Sequence, residues 1–183
     1  MKSIHQMTEA ELAAYVACHL EHHGIRVVLS GGTCVTIYAR NRYVSGDLDL
    51  VPETSVKPQK VEAALSEIGF RRQDRVFGHP ESAILVDIRV PPLAVGNEPV
   101  KQITEMPLST GVLRLLSPTD CVKDRLAAYY YHNDLQCLEQ ACLVVECSDV
   151  DLAEVKRWSV HEGEQAKFSQ VRCRLAASAK KRR

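Results

Sequence analysis

Val27-Val28-Leu29-Ser30-Gly31-Gly32-Thr33 runs from a β-branched apolar segment straight into a glycine pair, and Asp47-Leu48-Asp49-Leu50-Val51 follows it. The first stretch reads as a buried strand that turns at glycine into a helix. The second reads as a short strand whose leucines face opposite to its aspartates, since successive strand side chains alternate. Asp47 and Asp49 then share a face about 6.6 Å apart, where two charges repel by about 2.5 kcal/mol at an effective dielectric near 20. A divalent cation is the economical counter-charge.

Outward from these stretches, α and β signals alternate. Thr8 and Glu11 form a capping box, and Leu12, Tyr15, Val16, His19 and Leu20 recur at helical spacing until Gly24. Ile25 to Leu29 is a strand, and Thr33 to Ala39 a short helix with Arg40-Asn41-Arg42 at its exit. Pro58 opens a helix with an apolar stripe of Val61, Ala64, Leu65 and Ile68, closed by Gly69. Residues 83–90 are the strongest strand, ended by Pro91-Pro92, with Val100 to Ile103 and Val112 to Leu116 as weaker strands. Ser117-Pro118-Thr119-Asp120 starts a helix with a cap, a proline and an acid. Helices follow at about Leu135 to Glu146, Leu152 to His161 and Glu164 to Ala177. The expectation is an α/β (α+β) fold: a small mixed sheet flanked by helices over residues 1–116, then a helical part over 117–177 and a basic, disordered tail over 178–183.

Gly31-Gly32 stands where the first amides of a helix lack partners and the dipole favours an anion. Without side chains there, a phosphate can approach the backbone, although the same pair also serves as a plain turn. Asp87, inside Ile84-Leu85-Val86-Asp87-Ile88, is costly to bury ionised without a partner. Arg89, two residues on, is one such partner; a shared site with Asp47 and Asp49 is the other reading. Three carboxylates beside a phosphate cradle suit two-metal phosphoryl or nucleotidyl transfer.

The set Leu29-Ser30-Gly31-Gly32, Asp47-Leu48-Asp49-Leu50 and Asp87 resembles the motif of the nucleotidyltransferase superfamily, the polymerase-beta-like fold. Arg42-Tyr43-Val44-Ser45-Gly46-Asp47-Leu48-Asp49, and the run from Ser117 to Leu126, are similar to the branch holding abortive-infection toxin nucleotidyltransferases and their bacterial relatives. The resemblance spans roughly residues 25–140, and the 14 residues between Gly32 and Asp47 stand at the long end of its spacing. It implies that Asp47 and Asp49 ligate Mg2+ (or Mn2+), that Asp87 is a third ligand or the base for the acceptor hydroxyl, and that Gly31-Gly32 holds the phosphates of a nucleoside triphosphate. Arg42, Lys123 and Arg125 are candidates to stabilise charge on that triphosphate, though a solvated helix face accounts equally for Lys123 and Arg125. With Ser30 and Ser45 from the quoted motifs, the candidate nucleotide-binding residues are Ser30, Gly31, Gly32, Arg42, Ser45, Lys123 and Arg125. The implied reaction moves a nucleoside monophosphate onto a hydroxyl of a small molecule, a protein or RNA.

The same residues admit other readings. Asp47-Leu48-Asp49 fits an aspartyl-phosphate phosphatase pattern, but Asn41 to Gly46 is no apolar strand leading into it. A glycosyltransferase would leave the glycine turn unexplained. The rival of a different class is a nucleotidyltransferase-like fold that binds nucleotide, RNA or a partner protein without turnover, for example as one half of a toxin–antitoxin pair. His19 and His23, at i and i+4, could bind a metal; His132 and Asp134 could bind an acceptor, with a helix end capped by Asn133 or Asp134 as the simpler use.

Composition bounds the rest. The 183 residues are 45% hydrophobic, and 23 Lys and Arg balance 23 Asp and Glu, which argues against a nucleic-acid coat or a membrane-surface protein. Seven cysteines, an odd number without a C-x-x-C pair, support neither a disulfide framework nor a zinc knuckle and suit a reducing cytoplasm. No apolar run approaches the ~20 residues of a membrane span, and Met1 to Gln6 lacks a signal-peptide core.

Overall fold

The computed structural model describes residues 2–181. After a 3-10 turn at Ile4–Gln6, the elements are α1 (Glu9–His22), β1 (Val27–Ser30), α2 (Gly31–Tyr38), β2 (Asp47–Pro52), α3 (Pro58–Glu67), β3 (Arg71–Gln73), β4 (Val76–His79) and β5 (Ser82–Ile88). Then come β6 (Ala94–Val95), β7 (Glu98–Pro99), β8 (Ile103–Leu108), β9 (Gly111–Leu116), α4 (Pro118–His132), α5 (Leu135–Cys147), α6 (Leu152–His161) and α7 (Gln165–Lys181).

The chain divides into two compact units. One comprises Met1–Thr33, Ser45–Leu93 and Ile103–Leu115; the other comprises Cys34–Val44, Ala94–Gln102 and Leu116–Arg183. Residues 34–44 and 94–102 group with the C-terminal helices rather than with the sheet.

The first unit is built on a seven-stranded mixed sheet in the order β3-β4-β5-β2-β1-β9-β8. β1 pairs antiparallel with β2 and parallel with β9, while β2 pairs parallel with β5. Central strands in such a sheet are covered on both faces and read as apolar runs. Val28, Leu29, Leu48, Leu50 and Val86 are accordingly buried. Each leucine so buried contributes about 2 kcal/mol. α1 begins at the expected box: Thr8 Oγ1 accepts from the Glu11 amide (3.3 Å) and Glu11 Oε2 accepts from the Thr8 amide (2.9 Å). The same carboxylate accepts from Lys2 (2.6 Å) and from Ser109 (2.7 Å), which ties the helix start to the β8–β9 turn. The β3–β4 hairpin is absent from the sequence expectation because Arg71-Arg72-Gln73 is exposed and shows no alternation. The strand expected from Val100 starts instead at Ile103, and 94–95 pairs with 98–99 as a separate two-stranded ribbon.

The second unit holds the helices α4 to α7. Ser117 Oγ accepts from the Asp120 amide (3.0 Å), Pro118 follows it, and Asn133 at φ 53° ends α4. Asp134 caps α5 through the amides of Gln136 (2.9 Å) and Cys137 (3.2 Å), so the capping use of this pair is the one the fold makes. Trp158 is fully buried, stacks on Tyr130 at 5.9 Å and donates from Nε1 to the Val95 carbonyl (3.1 Å). α7 runs on through Lys181 with Ser178 buried, so residues 178–181 are helical where a disordered tail was expected; Arg182 and Arg183 lie outside the described residues. None of the seven cysteines is in a disulfide, and Cys34, Cys121, Cys137 and Cys142 are buried as small core residues. Among the described residues no helix is long and apolar enough to cross a membrane.

Candidate active site

The registers of three strands place three polar residues in one row. Ser30 on β1 is opposite Asp49 on β2, and Asp49 is opposite Asp87 on β5. Residues in register across a sheet point to the same side, and Asp47, two residues before Asp49, shares that side.

The glycine turn closes against this row. Gly31 has φ +70°, a conformation that costs an L-residue about 1–2 kcal/mol, and begins α2 directly after Ser30. A Cβ added at Gly31 would stand 1.8 Å from Asp49 Oδ2. Glycine is therefore required twice over, by the backbone angle and by the carboxylate lying on its α-carbon. Thr33, fully buried in the first turn of α2, donates to the Asp47 carbonyl (2.5 Å), and Ser30 Oγ donates to the Asp49 carbonyl (3.3 Å). Ser45 Oγ donates to Asp47 Oδ1 (2.7 Å), which fixes that side chain. Strand end, glycine turn and helix start are thus bound to the aspartate strand.

Arg89 supplies the counter-charge. Its Nε and Nη2 reach Asp49 Oδ1 at 2.8 and 2.7 Å, and its Nη1 reaches Asp87 Oδ2 at 3.3 Å. Asp49 is only 8% exposed. Burial pushes its carboxyl above the ordinary value, Arg89 pulls it back, and Asp47 and Asp87 add to the upward push. The expected pairing of Arg89 with Asp87 is present, but the closer contact is with Asp49. Its signal in the sequence was the i, i+2 spacing from Asp87, which places both on one face.

A hard divalent cation takes oxygen ligands, and Asp47, Asp49 and Asp87 are such a set on one face of the sheet. A mutually repelling carboxylate group with Asp49 buried at its centre fits that use. In this structure the Arg89 guanidinium pairs with Asp49 and Asp87, and Ser45 with Asp47. Among the described residues, the trio whose ligand atoms all lie within 4.8 Å of one another is His19, His23 and Glu67 instead.

The three expected cations belong to the second unit, each with its own carboxylate. Arg42 Nη1 contacts Glu146 (2.6 Å). Lys123 is buried between Asp120 (3.1 Å) and Glu154 (2.7 Å), with burial lowering its ammonium pKa and the two acids raising it to a net increase. Arg125 holds Asp124 at 2.5 Å and Gln140 at 3.3 Å. Sequence shows where a charge is but not what neutralises it after folding; of these pairs only Asp120–Lys123, at helical spacing, was legible beforehand.

No known family profile matches the sequence, and no curated protein matches it. Among solved structures the chain resembles an antigenic nucleotidyltransferase-like protein from Paracoccidioides brasiliensis, with a TM-score of 0.63 at 15% identity, over 94% of this chain and 92% of that one. The fold is that of a nucleotidyltransferase-like protein. Two structures of the antibiotic-resistance factor ANT(2'')-Ia are more distant. Its solution structure aligns at TM-score 0.48 and 15% identity over 89% of this chain and 92% of that one. Its complex with adenylyl-2''-tobramycin aligns at 0.49 and 13% over 85% and 94%. Within the nucleotidyltransferase-like fold, the sheet register brings Ser30, Asp49 and Asp87 together, and the Gly31 turn closes against Asp49.

Proposed function

We propose that this chain is a nucleotidyltransferase that moves a nucleoside monophosphate from a nucleoside triphosphate to a hydroxyl acceptor. The reading rests on one observation: Ser30, Asp49 and Asp87 form a row across β1, β2 and β5, with the Gly31 turn closed against Asp49. Asp47, Asp49 and Asp87 would hold Mg2+ or Mn2+, which when bound supplies charge neutralisation for the triphosphate and polarisation of the reacting oxygen.

The residues of the chain divide the remaining work. Ser30, Gly31 and Gly32 present backbone at the start of α2, where unpaired amides and the helix dipole favour phosphate oxygens. Ser45 orients Asp47 by its hydrogen bond. In the reaction the acceptor oxygen bonds to the α-phosphorus, the bond to pyrophosphate breaks, and the acceptor proton leaves to a base. Asp87, half-buried, is the candidate base, because Asp49 is shut away against Gly31.

A second reading, nucleotide binding without turnover, is favoured by Arg89, which already satisfies Asp49 and Asp87. One experiment separates the two. The protein is incubated with each labelled nucleoside triphosphate, Mg2+ and fractions of a cell extract, beside Asp49→Asn. Label that enters an acceptor with wild type and not with D49N supports transfer. Calorimetric binding of nucleotide without labelling supports the second reading, and neither signal overturns both.

A further inference from the structure

We propose that His19, His23 and Glu67 form a binding site for a zinc-class divalent ion, joining α1 to α3 within the first unit and separate from the aspartate row. His19 and His23 lie four residues apart on α1, which sets both rings on one face of the helix. Their ring centroids are 4.9 Å apart. Glu67 is the last residue of α3, and its Oε2 stands 3.0 Å from His23 Nε2 and 3.7 Å from His19 Nε2. All three candidate ligand atoms lie within 4.8 Å of one another. Zinc binds nitrogen at about 2.0–2.1 Å and carboxylate oxygen at about 2.0–2.2 Å, so tetrahedral ligands stand roughly 3.3 Å apart, close to the two separations to Glu67.

The donor set selects the ion. Two imidazoles and one carboxylate suit Zn2+ and its transition-metal neighbours, whereas Mg2+ prefers oxygen alone. Three protein ligands leave a fourth position to water, and the two histidines, about a fifth and a third exposed, leave a way in.

His19 also has a structural task that the site must accommodate. Its Nε2 donates to the carbonyl of Ala64 (2.9 Å) in the last turn of α3, where helix carbonyls lack intrahelical partners. Ligation through Nε2 moves the ring proton to Nδ1 and exchanges that hydrogen bond for the metal bond. His22, between the two ligands in sequence, turns the other way: its Nδ1 contacts the Cys18 carbonyl at 2.7 Å. It is an internal control on the same helix.

The test uses the whole chain, with ZnCl2 or MgCl2 as the probe, read by thermal unfolding and by calorimetry. Zinc at 100 times its dissociation constant is expected to raise Tm by roughly 5–10 °C, and equimolar MgCl2 is not. His23→Ala and Glu67→Gln are expected to bind about tenfold more weakly or worse, and His22→Ala as wild type. Glu67→Gln is a mild change at an exposed position, so a folding defect does not confound it. Because none of the seven cysteines is in a disulfide, Co2+ provides a second readout. A visible spectrum without thiolate charge transfer supports the site. No zinc-dependent shift, a shift that survives His23→Ala and Glu67→Gln, or a thiolate spectrum would overturn it.

Discussion

Asp49 and Asp87 are register partners on adjacent parallel strands, and one guanidinium, that of Arg89, bridges their carboxylates. The pair therefore presents its charge to a single internal cation. An ion that takes Asp49 Oδ1 or Asp87 Oδ2 competes with Arg89 for that oxygen.

Arg89→Gln tests that competition. Its side chain is about half exposed, so losing the bridge is expected to lower stability by about 1 kcal/mol. The aspartates are then left without a counter-charge, and MgCl2 should raise the Tm of the variant more than that of wild type. Equal Mg2+ responses would show that Arg89 and the cation do not share these carboxylates.

Asp49 sets a pH dependence. Its folded-state pKa is raised, chiefly by burial, above the unfolded value of about 3.9. The folded state then holds the proton more tightly, so the contribution of Asp49 is most favourable below the unfolded pKa and is lost as pH rises through the folded one. Wild type should therefore lose stability relative to Asp49→Asn as pH is raised from about 3.5 towards 7, read as the difference in denaturation midpoints. A difference that stays flat or runs the other way removes the electrostatic account of this buried carboxylate.

Gly31→Ala places a methyl 1.8 Å from Asp49 Oδ2 at a φ of +70°. Backbone strain and forced displacement of the carboxylate together should cost about 2–4 kcal/mol. Nucleotide binding should weaken with it, since the displaced Asp49 carboxylate belongs to the proposed metal site. Urea midpoints and nucleotide calorimetry on the one variant measure both.

Lys123→Met separates a structural cation from a triphosphate contact. Removing Lys123 leaves Asp120 without its ammonium, while Glu154 keeps Arg157 at 2.5 Å and is about a third exposed. A loss of about 2 kcal/mol is expected, less than for a fully enclosed pair. If Lys123 acts only within its own ion pairs, nucleotide affinity in calorimetry is unchanged; a tenfold loss would make it a phosphate ligand.

Local pattern alone carried much of the fold. The Thr8–Glu11 box, the Ser117-Pro118 start of α4 and the leucines of Asp47-Leu48-Asp49-Leu50 each gave an element within a few residues of where it stands, because caps, prolines and alternation act over one turn or one pleat. β3 escaped, since the exposed edge strand Arg71-Arg72-Gln73 has no buried face to write into the sequence, and β4, with only Phe77 and Gly78 buried side by side, shows no alternation. The three acids and the glycine pair were legible as residues of one kind. Their meeting was not, since it depends on β2 pairing with β1 on one side and β5 on the other.

The sequence by itself determined most of the helices and the strands β1, β2, β5 and β9, where the glycine turn falls and which carboxylates resist burial, because these follow from neighbours a few positions away. Only the tertiary structure decided that Asp49 rests on Gly31, that Arg89 bridges Asp49 to Asp87, that Lys123 is enclosed by Asp120 and Glu154, and that Glu67 meets His19 and His23. Those contacts join residues up to 48 positions apart, as His19 and Glu67 are, and strand register and helix packing choose such partners only once the whole core has formed.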